Sequence, residues 1–122
     1  MNQLRQRRAR EARLYGIVDL GYIAFDDCIG VTRSLLAGGV DILQLRAKNK
    51  EESEICRLAR LLVPVCHDYG VPFVVNDFTH VALEAGADGV HLGQEDGDLA
   101  GAVAALPEGA LVGRSSRPVR RF

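Results

Sequence analysis

Apolar residues in this chain fall into short dense runs, separated by longer stretches of helical spacing. Leu14-Tyr15-Gly16-Ile17-Val18 is an apolar run that ends at Asp19 and predicts the first strand. From about Phe25 to Ala37, residues Cys28, Val31, Thr32, Leu35 and Leu36 recur at helical intervals. Gly38-Gly39 stops that helix, because glycine readily takes a left-handed cap. Asp41–Arg46 predicts the second strand, with Gln44, Arg46 and Lys48 on one face by the two-residue period. Glu51 to about Tyr69 predicts a helix with the stripe Ile55, Leu58, Ala59, Leu62 and Cys66; Pro64 should kink or shorten it, and Gly70 closes it.

Pro72–Val75 predicts a third strand that runs into Asn76-Asp77. A short helix over about Thr79–Ala85 stops at Gly86. Gly89–Leu92 predicts the fourth strand, which breaks at Gly93 into Gln94-Glu95-Asp96. A trailing pair of acids cannot be buried unpaired, so this strand must end at water or a ligand. Leu99–Leu106 predicts an Ala-rich helix, and Ala110–Val112 a fifth strand ending at Gly113. Met1–Arg13 is polar with good helix formers and predicts a short exposed helix.

Short apolar strands alternating with helices predict an α/β fold with a parallel sheet. Gly39–Leu45 and Gly86–Leu92 echo one another: a helix-ending glycine, a polar step, then an apolar strand interrupted by one polar residue. The repeat favours a (β/α) barrel of the TIM type, cut to about four and a half units, over a doubly wound sheet. The expected organisation is a basic extension or helix over 1–13, a partial barrel over 14–113 and a basic tail over 114–122.

Barrel chemistry gathers at the C-terminal ends of the strands. Here those ends carry Asp19; Gln44, Arg46 and Lys48; Asn76 and Asp77; Gln94, Glu95 and Asp96; and Ser115 and Ser116. The strand starts show no comparable set. Arg46 can grip a phosphate at two points, with Lys48 as a second cation. Asp77 and Asp96 are hard oxygen donors suited to Mg²⁺ bridged to phosphate. Asn76 and Gln44 can hydrogen-bond a neutral heterocycle. The competing structural reading makes Asp77 and Asp96 helix caps and pairs Arg46 with either acid. His91 reads as a hydrogen-bonded interior residue; His67 and His80 carry no signal of their own.

Composition narrows the classes. The 122 residues are 48% hydrophobic and 25% charged, with 15 Lys+Arg against 16 Asp+Glu. Such near-balance points away from nucleic acid. No apolar run approaches a membrane span, and Met1–Arg13 lacks the apolar core of a secretory signal. Three cysteines without a CxxC pair point to a reducing, cytoplasmic setting. The arginine clusters at Arg5–Arg13 and Arg114–Arg121 read as solvated chain ends, with phosphate contact as the alternative. No zinc motif, GxGxxG or Walker loop is present.

The segments LYGIVD, GGVDILQLRAK, PFVVND and ADGVHLGQED together resemble the thiamine-phosphate synthase family, in its order and spacing over roughly Leu14–Val112. The resemblance implies a (β/α) barrel transferase of thiamine biosynthesis. Such enzymes join 4-amino-2-methyl-5-hydroxymethylpyrimidine diphosphate to 4-methyl-5-(2-phosphoethyl)thiazole, giving thiamine phosphate and diphosphate. It implies that Gln44, Leu45, Arg46, Ala47 and Lys48 form the pyrimidine-diphosphate segment, with Asn76 and Ser115 as further substrate contacts. Asp77 and Asp96 are the implied Mg²⁺ ligands. The implied mechanism is dissociative: Mg²⁺, Arg46 and Lys48 stabilise the leaving diphosphate, and the thiazole nitrogen attacks a pyrimidine-methyl cation. No side-chain nucleophile or base is assigned.

The chain departs from the pattern in two places. Ala47 stands where the family usually has an acid, and Gly113-Arg114-Ser115-Ser116-Arg117 stands where it reads GVSTH. A complete barrel of this type takes about 250 residues. The expectation is therefore a half site, unable to complete a turnover alone, with open edges that invite self-association. The alternatives are a thiazole tautomerase-like protein and a non-catalytic half-barrel binding or assembly module.

Overall fold

The computed structural model describes residues 2–93 and 99–114. Five strands alternate with helices: α1 (Gln3–Arg10), β1 (Tyr15–Asp19), α2 (Cys28–Ala37, led in by a 3₁₀ turn at Phe25–Asp27), β2 (Ile42–Arg46), α3 (Glu52–Asp68), β3 (Phe73–Asn76), α4 (Thr79–Ala85), β4 (Gly89–Leu92), α5 (Leu99–Ala105) and β5 (Leu111–Arg114). All neighbouring strands are parallel and lie in the order β1-β2-β3-β4-β5. A doubly wound sheet reorders its strands around a switch point and covers both faces with helices. Strictly sequential order with helical crossovers is the arrangement of a (β/α) barrel, as the strand–helix repeat predicts.

The outward face of the sheet is buried against the helices. Val18, Leu43, Leu45, Phe73, Val75, Val90 and Leu92 alternate along the strands and meet Leu36, Ile55, Leu58, Leu62, Cys66, Val81 and Ala82. Burying a side chain such as Leu58 or Phe73 contributes roughly 2 kcal/mol. Helix α3 runs unbroken through Pro64 to Asp68, so proline does not shorten it. It ends where Gly70 takes φ +67° and the Val71 N–H donates to Cys66 O. The inward face carries Tyr15 and Ile17, both about half exposed.

Two sequence readings are corrected at the opposite pole. The strand starts do carry a polar set, and the N-terminal arginines are not simply solvated. Helix α1, capped by Asn2 Oδ1 accepting from the Leu4 N–H at 2.7 Å, lies against the starts of the strands. Arg5 Nε donates to Asp88 Oδ1 at 3.0 Å, Gln6 Nε2 to Gly109 O at 2.9 Å, and Arg8 Nη1 to Tyr69 O at 3.2 Å. Arg8 Nε also reaches Asp41 Oδ1 at 3.4 Å.

The echo between Gly39–Leu45 and Gly86–Leu92 has a physical basis here. Asp41 N–H donates to Leu14 O at 2.8 Å, and Asp41 Oδ2 accepts from the Leu14 N–H at 3.1 Å. Asp88 N–H donates to Phe73 O at 2.8 Å, and Asp88 Oδ2 accepts from the Phe73 N–H at 2.9 Å. Each acid thus closes a two-bond clasp on the start of the preceding strand and satisfies a backbone donor that has no partner strand beyond it.

Candidate active site

The parallel register sorts the inward-facing side chains into rows. Ile17 pairs with Gln44, Gln44 with Val74, Val74 with Gly89, and Gly89 with Leu111. Two residues nearer the strand ends, Asp19 pairs with Arg46, Asn76 with His91, and His91 with Gly113. Carrying the β2–β3 register on by two residues sets Arg46 beside Asn76. The last inward row therefore reads Asp19, Arg46, Asn76, His91, Gly113.

Arg46 Nη1 lies 3.6 Å from Asp19 Oδ2, and the arginine side chain is 40% exposed, so it remains open to solvent. Its acid partner is thus Asp19, which also accepts the Gly21 N–H at 2.8 Å. Lys48 is exposed and sits past the end of β2, in a turn where Asn49 takes φ 63°. The two-residue face holds for Gln44 and Arg46 and does not extend to Lys48 as strand.

Gln44 is a row below the rim, 4% exposed, and its Nε2 donates to Tyr15 Oη at 3.0 Å. Burial holds the Tyr15 phenol above its ordinary value of 10.0, partly offset by that hydrogen bond. The side chains of Leu45 and Ala47 point into the helix-facing core, at 0% and 3% exposure. Position 47 is thus a core methyl, turned away from the inward face.

Asp77 joins the ends of β3 and β4. Its N–H donates to His91 O at 2.9 Å, and its Oδ1 accepts the Gly93 N–H at 3.2 Å. It achieves this with φ 70°, a conformation that aspartate tolerates better than most residues. The cap position of α4 is Phe78, with no side-chain cap bond, so Asp77 does not serve as that cap. Asp96, Gln94, Glu95, Ser115 and Ser116 lie outside the described residues.

His91 was legible only as an interior histidine, yet it shares the last inward row with Asn76 and Gly113. Its place in the internal echo, three residues after Asp88 as Gln44 is three after Asp41, is the signal that puts it on the inward face. Beneath this row the inward face forms a cavity of about 340 Å³, lined by Tyr15, Ile42, Val74, His91, Leu111 and Gly113, with Arg10 of α1 at its far end.

The fold defines a protein of the (β/α)-barrel type that carries Asp19, Arg46, Asn76 and Asp77 at the C-terminal ends of its strands. Comparison with known proteins makes the assignment specific. Residues 14–121 match the family described as thiamine monophosphate synthase, and the chain belongs to that family. It is 44% identical over 101 residues to a thiamine-phosphate synthase of Clostridium perfringens, covering 83% of this chain and 48% of that protein. A thiamine-phosphate synthase of Bordetella avium is 43% identical over 107 residues, covering 85% and 47%. Among solved structures, a thiamine phosphate pyrophosphorylase from Pyrococcus furiosus superposes with a TM-score of 0.75 at 29% identity, covering 94% of this chain and 52% of that one. The chain thus spans about half the length of the relatives it matches. Helix α1 precedes the residues the family description matches.

Proposed function

We propose that this chain carries the pyrimidine-diphosphate side of a thiamine-phosphate synthase site and acts in thiamine biosynthesis as a transferase of that type. The observation that carries the reading is the convergence of Arg46, Asn76 and Asp77 at the adjoining ends of β2 and β3. Arg46, solvent-open beside Asp19, offers a planar fork for a diphosphate. Lys48 adds a mobile point charge from the turn beyond. Asn76 and Gln44 supply hydrogen bonds to a heterocycle, and the backbone of Leu45 and Ala47 lines the same segment.

The donor set fits Mg²⁺. Asp77 presents a hard carboxylate at the end of β3, near Arg46 and Lys48, and Asp96, which lies outside the described residues, is the proposed second oxygen donor. The ion would neutralise charge on the departing diphosphate. Arg46 and Lys48 stabilise the same developing charge, and such preorganised groups aimed at a leaving anion are a major source of rate. Ser115 is assigned a contact to the same substrate. The thiazole phosphate is the second substrate of the proposed reaction.

The names of the relatives favour the synthase over a tautomerase or a non-catalytic module. We also infer a cytoplasmic setting, supported by three free, buried thiols, and self-association through the open sheet edges, which light scattering would check. Among the described residues, no helix is long and apolar enough to cross a membrane.

Calorimetry with the pyrimidine diphosphate tests the reading. Binding should require Mg²⁺ and should weaken about tenfold or more in Arg46→Ala. A synthase assay with both substrates tests the whole reaction. Mg²⁺-independent binding, unaffected by Arg46→Ala, would overturn the assignment.

A further inference from the structure

We infer that β1 is a docking edge for a second copy of this chain, paired antiparallel about a two-fold axis near Ile17. The inference rests on the self-association proposed above and fixes its edge and its orientation. Three observations carry it. First, exposed apolar side chains gather here: among the described residues, Leu14, Tyr15, Ile17 and Tyr22 are four of the nine large hydrophobic residues that stand exposed. Second, β1 offers its backbone to a partner. Among the described residues its one strand neighbour is β2. Leu14 O accepts from the Asp41 N–H at 2.8 Å and the Leu20 N–H donates to Arg46 O at 3.0 Å, so these residues turn their peptide groups to β2. By the alternation of a strand, Tyr15 and Ile17 turn theirs to the open side. The usual guards of such an edge, a proline, a lysine or a bulge, are absent from Tyr15–Asp19. Third, a groove of about 760 Å³ lies alongside, lined by Tyr22, Ile23, Val31 and Leu35. It is continuous with the strand, because a Cβ at Gly16 would sit 3.6 Å from Leu35 Cδ1.

A strand edge is completed by another strand, and charge selects the second copy and its direction. Arg13 stands exposed just before β1, while Asp26 and Asp27 stand exposed beyond its end. Parallel pairing of two such edges sets like charges together. Antiparallel pairing brings Arg13 of each copy toward the acidic end of the other, and complementary charge of this kind fixes orientation. The strand is self-complementary in that direction. With the axis at Ile17, the two Ile17 side chains meet on the inward face, and Tyr15 of each copy lies opposite Asp19 of the other. Leu14 alternates with Tyr15 and so falls on the helix side, where it comes over the groove of the other copy. One patch thus meets itself, which is the closed two-fold arrangement most common among homodimers.

Sedimentation velocity over a concentration series tests the edge. Wild type should form a species of twice the 13.3 kDa chain. Ile17→Lys should weaken that association about tenfold or more, while Val103→Lys, an exposed position on α5 by the opposite edge, should change it by less than about twofold. Thermal unfolding of each variant reports the fold separately. Oxidative cross-linking tests the orientation without adding a charge. A hydrogen-bonded antiparallel pair sets its Cα atoms about 5.5 Å apart, within disulfide reach. The three native cysteines are buried, so Ile17→Cys under a mild oxidant should give a disulfide-linked dimer, and Tyr22→Cys, far from the axis, should not. A dimer that Ile17→Lys leaves intact overturns the assignment of the edge while self-association stands. Equal cross-linking of the two cysteine variants overturns the antiparallel pairing. A wild type that stays monomeric at every concentration overturns both the edge and the self-association.

Discussion

Arg5 Nε sits 3.0 Å from Asp88 Oδ1, with the aspartate side chain 3% exposed, so the first helix is tied to the residue before β4 by a nearly buried ion pair. The other oxygen of Asp88 accepts the Phe73 N–H at 2.9 Å and meets His67 Nε2 at 2.8 Å. One carboxylate thus joins α1, α3, β3 and β4. Removing the carboxylate strands three partners, whereas removing Arg5 leaves two of them in place. Asp88→Ala should lower unfolding free energy by about 3–5 kcal/mol and Arg5→Ala by about 1–3 kcal/mol, read from urea denaturation. Equal, small losses would show that α1 is not structurally coupled to the sheet.

Asp41 repeats this clasp at the start of β2, and there the consequence is a pH dependence. The Arg13 N–H at 3.0 Å, the Leu14 N–H and the Arg8 guanidinium hold its carboxyl below the ordinary value of 3.8. The unfolded chain then binds the proton more readily than the native one. The clasp's contribution is present above a pH of about 4 and is lost as pH falls through the lower native value. Wild type should therefore lose stability more steeply below that pH than Asp41→Asn, whose side chain does not titrate. Parallel slopes in pH-dependent unfolding would remove Asp41 from the account.

Much of the architecture could be read from the chain, for identifiable reasons. The strands are bare apolar runs, and Gly70 and Gly86 end their helices with left-handed backbone, so elements and order were plain. Asp41 and Asp88 were not, because an acid just before a strand resembles any loop residue until its backbone donors are seen. Arg5 and Arg8 were misread for the related reason that their partners lie far along the chain. At the site, the shared face of Gln44 and Arg46 follows from strand period and the place of Asn76 from the end of the third apolar run, while the depth of Gln44 and the company of His91 depend on register between strands, which a single sequence does not display.

The cysteines give a chemical check on the core. Burial pushes the Cys66 thiol up to about 12, with the nearby Asp88 charge adding to it. Burial and then Asp27 raise Cys28; burial and then the hydrogen bond to Glu84 raise Cys56. Thiolate is the reactive form, so all three should resist a thiol reagent at a pH of about 8 in the native protein and react promptly in denaturant. Rapid native labelling of Cys66 would contradict its place between α3 and the sheet.

Thr32 is fully buried in α2, and its hydroxyl has no hydrogen-bond partner among the described residues. A buried hydroxyl left unpaired is destabilising, and valine has nearly the same shape. Thr32→Val should raise stability by about 1–2 kcal/mol, seen as a higher urea midpoint at unchanged slope. A loss of that size would instead show that the hydroxyl has a partner worth keeping.

Asp77 separates backbone from chemistry most cleanly. Its φ of 70° suits Asp and Asn, and Asn can still accept the Gly93 N–H through its amide oxygen. Asp77→Asn should therefore keep thermal stability within about 0.5 kcal/mol while losing the Mg²⁺-dependent part of pyrimidine-diphosphate binding. Asp77→Ala should lose that binding and also roughly 1 kcal/mol or more, because alanine fits the left-handed region poorly and leaves the Gly93 donor unanswered. Calorimetry with and without Mg²⁺, set beside melting curves, reads the two effects independently. An Asn variant that keeps full Mg²⁺ dependence would show that Asp77 only joins the ends of β3 and β4, and would move the proposed cation away from this residue.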